Sequence, residues 1–373
     1  MTFYHVSNYY HGNNRYICKN TIPNMSWRKE KIATAAGLVD AQFPVIVSAS
    51  RSTDIPAFYA DWFFRRLQEG YSAWTNPFNG VRSYISYRDT RFIVFWSKNP
   101  APLIPYLDKL QERSIGCYVQ YSLNDYEAEG LEKGVPPLQE RIDTFKRLVD
   151  RLGEGHVIWR FDPLVLTDTI RVDELLEKVS RVGDALKGYT EKLVFSFVDI
   201  GIYRRVRANL DRNGIHYREW DVEQMDSFAA RLAELNGRWG YELATCGEKV
   251  DLSRYGVQHN RCIDDRLIVR FAHNDPVLMR HLGVRIEEQG LFESIKEGAL
   301  DLGNGRFAVW DRGRNSDKGQ REFCGCIASK DIGEYNTCIH MCEYCYANNT
   351  KQIALENWNR HKSNPFSETI TGV

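Results

Sequence analysis

From residue 45 onward the chain alternates short runs rich in Val, Ile, Phe and Tyr with longer stretches whose apolar positions recur at helical spacing. The first pattern predicts strands at 45–49, 72–75, 91–96, 116–121, 156–161, 192–197 and 241–245. The second predicts helices at 56–68, 138–151, 172–186 and 222–235. Such alternation builds a mainly parallel sheet, because each parallel pairing needs a crossover long enough to bring the chain back to the same end. Pro56 suits a first helical turn, where its missing N–H would be unpaired anyway, and Thr53 or Asp54 can cap that helix.

Seven strands are one short of a ring of eight, and the eighth is expected within 327–335, before a helix that begins near Glu343. The expected fold class is therefore α/β, a full or partial (β/α) barrel forming one domain over residues 41–355. Loops that leave the strands of such a barrel carry its active sites. Residues 1–40, polar and rich in Asn and Tyr, read as an N-terminal extension, and 356–373 as a tail. The stretch 304–320 reads as a surface loop.

With 43% hydrophobic and 13% aromatic residues the chain can fill a sizeable core, which excludes wholesale disorder. Its 49 basic and 49 acidic residues leave no net field to gather a polyanion, so contact with a nucleic acid would have to come from a local patch. The N-terminus lacks a charged and apolar targeting pattern, and no run reaches the roughly 18 apolar residues of a membrane span. These features predict a cytoplasmic protein with no membrane partner.

In a reducing cytosol nine cysteines point to metal rather than to disulfides. Seven fall in the last third of the chain: Cys246, Cys262, Cys324, Cys326, Cys338, Cys342 and Cys345. Cys117, in an apolar run, reads as a small core residue. In TCIHMCEYCYAN the spacing Cys338-x-x-x-Cys342-x-x-Cys345 lets one loop offer three thiolates to three corners of a [4Fe-4S] cluster, leaving the fourth iron open. That is the ligand spacing of radical S-adenosylmethionine (SAM) enzymes. There the open iron chelates SAM, and an electron from the cluster releases a 5′-deoxyadenosyl radical. Tyr344 and Tyr346 could shield the cluster and stack near the adenine.

Two other readings stay open at this stage. A closed zinc site could combine Cys324-x-Cys326 with Cys342-x-x-Cys345 and leave Cys338 over, with His340 an idle neighbour. A cluster could equally serve structure or electron transfer alone. The remaining four thiols, Cys246, Cys262, Cys324 and Cys326, are the full complement for a second, coordinatively closed cluster. The iron–sulfur segment is thus 324–350.

The segments VSASRSTDIPAFYADWF, FWSKNP, RFDPL, CIDD and SKDIGEYNTCIHMCEYCYAN together resemble the bacterial family known as domain of unknown function 1848, over about residues 30–350. That family's C-terminal cysteines are similar to those at the N-terminus of radical SAM domains. A more distant resemblance is to spore photoproduct lyase-like radical SAM proteins, to whose corresponding segments TCIHMCEYCYAN, VFWSKNP, VQYSLN, PPLQERI and WRFDPLVL are similar in character. Here the cysteine segment comes last, which implies a circularly permuted barrel. The Gly-Gly-Glu-type segment that contacts the SAM amino group in that branch has no counterpart.

The resemblance implies roles for particular side chains. Lys98, ending FIVFWSK, would hold the SAM carboxylate. Ser122 and Asn124 would bond its ribose or carboxylate, and Arg160 and Asp162 would face the cofactor from one side of a strand. Each has a bland counterpart: a solvated lysine, turn chemistry, a structural ion pair. Arg51 and Asp54, just beyond a strand, are candidates to grip an anionic substrate group, with mutual pairing and helix capping as the alternative. Trp74, Asn76 and Phe78 offer an aromatic platform, or simply a packed turn around Pro77.

The leading expectation is an enzyme that uses one or two [4Fe-4S] clusters and SAM, reduced by flavodoxin or ferredoxin, on an unidentified substrate such as a nucleotide or nucleic acid. Its rivals are a non-catalytic iron–sulfur protein for electron transfer or sensing, and a zinc-stabilised nucleic-acid-binding module.

Overall fold

The computed structural model describes residues 27–35, 37–76, 80–288, 297–311, 316–317, 320 and 323–373. At its centre is a sheet of eight strands: β1 (Ile46–Ala49), β2 (Phe92–Ser97), β3 (Gly116–Ser122), β4 (Val157–Leu164), β5 (Lys192–Phe197), β6 (Glu242–Thr245), β7 (Val257–His259) and β8 (Lys330–Asp331). They lie in the order β7-β6-β5-β4-β3-β2-β1-β8. Every neighbouring pair is parallel. Sequence neighbours are thus sheet neighbours, and the last strand lies beside the first.

Between the strands run α1 (Ala60–Glu69), α2 (Leu138–Leu152), α3 (Val172–Ala185), α4 (Arg204–Arg212) and α5 (Val222–Asn236). Then come α6 (Asp265–Ala272), after β7, and α7 (Lys351–Ser363), after β8. Among the described residues no ladder joins β7 to β8, so the pairing defines a parallel α/β sheet. The backbones beyond those two edges do touch. Gly325 N–H donates to Asn260 O at 3.4 Å, and Ile327 N–H to Ile263 O at 3.0 Å.

Strand alternation sorts the core into two layers. Ile93, Phe95, Val119, Trp159, Phe161, Leu193 and Phe195 share one apolar cluster with buried residues of α2, α3 and α5. Phe92, Val94, Tyr118, Ile158 and Val194 face the other way and pack with α6. At roughly 1.5–3 kcal/mol for each fully buried large apolar side chain, these two layers supply the main drive to fold.

The sequence reading needs four corrections. Residues Tyr71–Thr75 form a strand, but it pairs antiparallel with Arg82–Ser86 outside the central sheet, because the short connection between them permits a hairpin and not a crossover. Its expected place is taken by β7, whose three residues are too short to show a period. The helix expected near Glu343 begins at Lys351, capped by the Thr350 hydroxyl. Part of the expected loop 304–320 is a strand, Arg306–Trp310, paired antiparallel with Val284–Glu288.

The described part of the N-terminal extension forms a hairpin, Lys29–Thr34 with Gly37–Gln42. The last residues dock back on the body, where Ala73 N–H donates to Glu368 O at 2.7 Å. Residues 1–26 lie outside the described residues, as does Phe78.

Candidate metal centre

The loop that follows β8 carries Cys338, Cys342 and Cys345, and it is fixed from three sides. First, Thr53 in the loop after β1 donates to Glu334 O at 2.8 Å and lies 2.7 Å from the Thr337 hydroxyl, while Tyr59 donates to Thr337 O at 2.7 Å. Second, Asp331 accepts from Ser48, Ser50 and the Arg51 N–H at 2.8–2.9 Å, holding the ends of β8 and β1 together. Gly333 is dictated by this contact: a Cβ there would lie 1.8 Å from Ser50 Oγ. Third, residues 131–135 run against the cysteine loop, with Glu343 N–H donating to Leu131 O at 2.9 Å and Gly134 N–H to His340 O at 2.8 Å. A Cβ on Gly134 would meet Ile339 O at 2.7 Å.

His340 is a structural pin rather than an idle neighbour. It is buried, with Nε2 2.7 Å from Asp54 Oδ2 and Nδ1 3.1 Å from Gly134 O, so each ring nitrogen meets an acceptor. Asp54 also accepts from Ala57 N–H at 3.0 Å, Ser97 Oγ at 2.7 Å and Lys98 N–H at 2.7 Å. Of the alternatives weighed for it, helix capping holds, and the side chain it meets across the two loops is His340 rather than Arg51.

Behind the loop lies a buried polar knot. Lys98 Nζ donates to Glu132 Oε1 at 2.7 Å and to the Tyr344 hydroxyl at 2.9 Å. Asn124 Nδ2 reaches the same two groups at 3.0 Å each, and Tyr344 itself donates to Glu132. Burial opposes ionisation of Glu132, but Lys98 and Arg141 outweigh it and hold the carboxyl down at about 2. Burial likewise opposes the charge on Lys98, and Glu132 and Cys342 outweigh that and raise its pKa. Glu132 had no signal in the sequence, since it sits in the irregular segment DYEAEGLEKG. Its contacts with Lys98, Asn124 and Tyr344 and its antiparallel bridge with Cys342 reveal it.

The three thiols interact electrostatically with one another, and Lys98 lies within electrostatic reach of Cys342 and Cys345. Burial pushes the Cys338, Cys342 and Cys345 thiols up. Tyr346 donates to Arg51 O at 2.8 Å and is partly exposed at the rim, next to Tyr203.

The fold gathers four of the other cysteines into a second group, while Cys117 is buried in the opposite core layer. Cys262 and Cys326 are buried in the layer that packs with α6, and Cys246 and Cys324 pack against it. Cys342 belongs to the opposite layer. Pairing Cys324 and Cys326 with Cys342 and Cys345 in one closed zinc site would have to bridge those layers. Arg160 pairs with Asp162, Nε to Oδ2 at 3.1 Å, and Nη1 donates to Cys262 Sγ at 3.2 Å. Burial pushes the Asp162 carboxyl up, but Arg160 and the Ser196 hydroxyl outweigh it and hold it below the ordinary carboxylate value.

Ser122 ends β3 opposite Arg160, half-buried. Asn76 lies at the end of the outer hairpin strand, where its carbonyl accepts from Gly80 N–H at 2.8 Å. Among the described residues no three His, Cys, Asp or Glu side chains already surround a common ion position.

A parallel α/β sheet with a cysteine-rich loop beyond β8, pinned to the loop after β1, defines the class to which this chain conforms. The chain belongs to the family described as a domain of unknown function, DUF1848, whose profile matches residues 46–347. No curated protein matches the chain.

Proposed function

We propose that Cys338, Cys342 and Cys345 hold a [4Fe-4S] cluster that binds SAM in an enzyme of radical SAM type. One observation carries the reading: three thiols on one loop, beside the Lys98 cation, beyond the last strand of an eight-stranded parallel sheet whose final strand lies beside its first. The donor set fits, since three soft thiolates suit iron–sulfur chemistry and leave one iron for an outside ligand. When bound and reduced, the pair of cofactors supplies a carbon-centred radical for hydrogen abstraction.

The chain's own residues shape the site. His340, Asp54 and Gly134 fix the loop. Lys98 offsets thiolate charge beside Cys342. Tyr344, fully engaged with Glu132, Lys98 and Asn124, walls the inner side from water. Arg204, Arg205 and Arg207 are exposed on α4, and Arg205 lies within electrostatic reach of Cys345. They supply the local positive rim that an otherwise neutral chain needs for an anionic substrate such as a nucleotide or nucleic acid. Electrons would come from a small reducing protein of the flavodoxin or ferredoxin kind. Among the described residues no helix is long and apolar enough to cross a membrane.

A second reading, a cluster for electron transfer or sensing, draws on one observation: the ammonium of Lys98 and the amide of Asn124 are already committed to Glu132 and Tyr344. Anaerobic reconstitution separates both from a structural metal. About four irons and four sulfides lost in Cys342→Ala support the cluster, and a change in its electron paramagnetic resonance signal on adding SAM supports SAM binding. A signal indifferent to SAM favours electron transfer.

A further inference from the structure

The second thiol group lies where the open edges of the sheet come together. Cys246 directly follows β6, Cys262 lies three residues beyond β7, and Cys324 and Cys326 precede β8. Backbone bonds from Gly325 to Asn260 and from Ile327 to Ile263 hold these segments side by side. Gly325, between two cysteines, permits the approach: a Cβ there would lie 2.8 Å from Arg261 Cγ and 3.2 Å from Asn260 O.

The four sulfurs form a connected set. Cys246 Sγ is 3.4 Å from Cys262 Sγ, and Cys326 lies within electrostatic reach of Cys262 and Cys324. N–H donors converge on them. Arg160 Nη1 and Asn260 Nδ2 reach Cys262 Sγ at 3.2 and 3.1 Å, and the Ile263 N–H reaches Cys326 Sγ at 3.4 Å. Donors aimed at sulfur are the outer partners expected of thiolate ligands. The Cys262 carbonyl is meanwhile held by Tyr118 at 2.7 Å and Gln120 at 2.9 Å, which fixes its backbone.

Charge gives an independent observation. Arg51 lies within electrostatic reach of Cys326 and Cys262, and its Nη1 and Nη2 are buried without a hydrogen-bond partner among the described residues. Asp331 Oδ2 stands 4.0 Å from Nη1. Arg51 and Arg160 flank the Trp96 ring, at 5.4 and 5.2 Å from its centroid. Arg160 already has Asp162 as its counter-charge, whereas Arg51 has, among the described residues, Asp331 at 4.0 Å and no hydrogen-bonded acid on its Nη atoms. A divalent ion with four thiolates, which carries a net charge of minus two, would give Arg51 an anion to face.

Spacing selects the ligand. A tetrahedral ion with sulfur bonds of about 2.3 Å sets its sulfurs about 3.8 Å apart, close to the 3.4 Å between Cys246 and Cys262. In a cuboidal cluster each thiolate takes its own iron, and the sulfurs stand farther apart. We propose that Cys246, Cys262, Cys324 and Cys326 hold a single tetrahedral zinc-class ion that fastens the β7 edge to the β8 edge, in place of a second iron–sulfur cluster.

The test uses the full chain carrying Cys342→Ala, so that iron at the other loop does not intrude, alone and combined with Cys324→Ala. Zinc, iron and sulfide are measured per chain. Roughly one zinc in the first variant, falling at least tenfold in the second, is the expected result. About four irons lost with Cys324→Ala would replace the ion by a cluster, and less than a tenth of an equivalent of any metal in both would overturn the site. Should Cys324→Ala not fold, Co2+ added to the chelator-treated Cys342→Ala chain decides. An intense thiolate-to-cobalt absorption band is expected, and its absence overturns the proposal. None of these outcomes depends on whether the loop at Cys342 binds SAM.

Discussion

His340 Nε2 lies 2.7 Å from Asp54 Oδ2, joining two loops 286 residues apart in the chain. Because Asp54 also receives donors from Ala57, Ser97 and Lys98, it fixes the cysteine loop, the first helical turn and the end of β2 to one another. Asp54→Asn puts an amide group against donors and should lower stability by about 2–4 kcal/mol. Urea denaturation checks it, and an unchanged midpoint would remove Asp54 from this role.

Glu132 is the acceptor at the centre of the buried knot. Glu132→Gln leaves Lys98 and Arg141 without their counter-charge in a site closed to water, and should cost about 3 kcal/mol. The iron retained after reconstitution should fall with it, since the same segment is bridged to Cys342. Full iron retention with unchanged stability would show that Glu132 does not support the loop.

Gly333→Ala should be severely destabilising, because its Cβ would lie 1.8 Å from Ser50 Oγ, 2.6 Å from Ser50 Cβ and 2.9 Å from Ser52 Oγ. Removing the obstruction with Ser50→Gly in the same chain should recover a measurable part of the loss. A double-mutant cycle in denaturant gives the coupling, and strict additivity would contradict the contact.

Glu334 is buried, and burial pushes its carboxyl up to about 7 from an ordinary 4.5. Below pH 4.5 both folded and unfolded chains hold this proton, and between 4.5 and about 7 only the folded chain does. The stabilisation is therefore complete at low pH and is lost as pH rises through about 7. Glu334→Gln, neutral throughout, should match the wild type near pH 4.5 and exceed it near pH 8 by roughly 1–3 kcal/mol. Parallel stability profiles for the two proteins would refute the shift.

Most of the central sheet was legible because its strands are long enough to show alternation and are separated by helices with clear periods. The eighth strand fell inside its expected window, as Lys330–Asp331. What stayed hidden was short or long-range. β7 has three residues, and the placement of Tyr71–Thr75 depended on its hairpin partner rather than on its own composition. At the site, the cysteine spacing was readable because three thiols lie within eight residues. The gathering of Cys246, Cys262, Cys324 and Cys326 was guessed from their number and is brought about by β6, β7 and the segment before β8. Glu132 and the partner of His340 were illegible, since nothing local distinguishes a buried acid from a solvated one.

The central claim is tested most directly by incubating the anaerobically reconstituted full chain with SAM and dithionite and measuring 5′-deoxyadenosine. The wild type should form it and Cys342→Ala should not. Reconstituted iron with no 5′-deoxyadenosine from the wild type would contradict the radical SAM reading and leave electron transfer or sensing in its place.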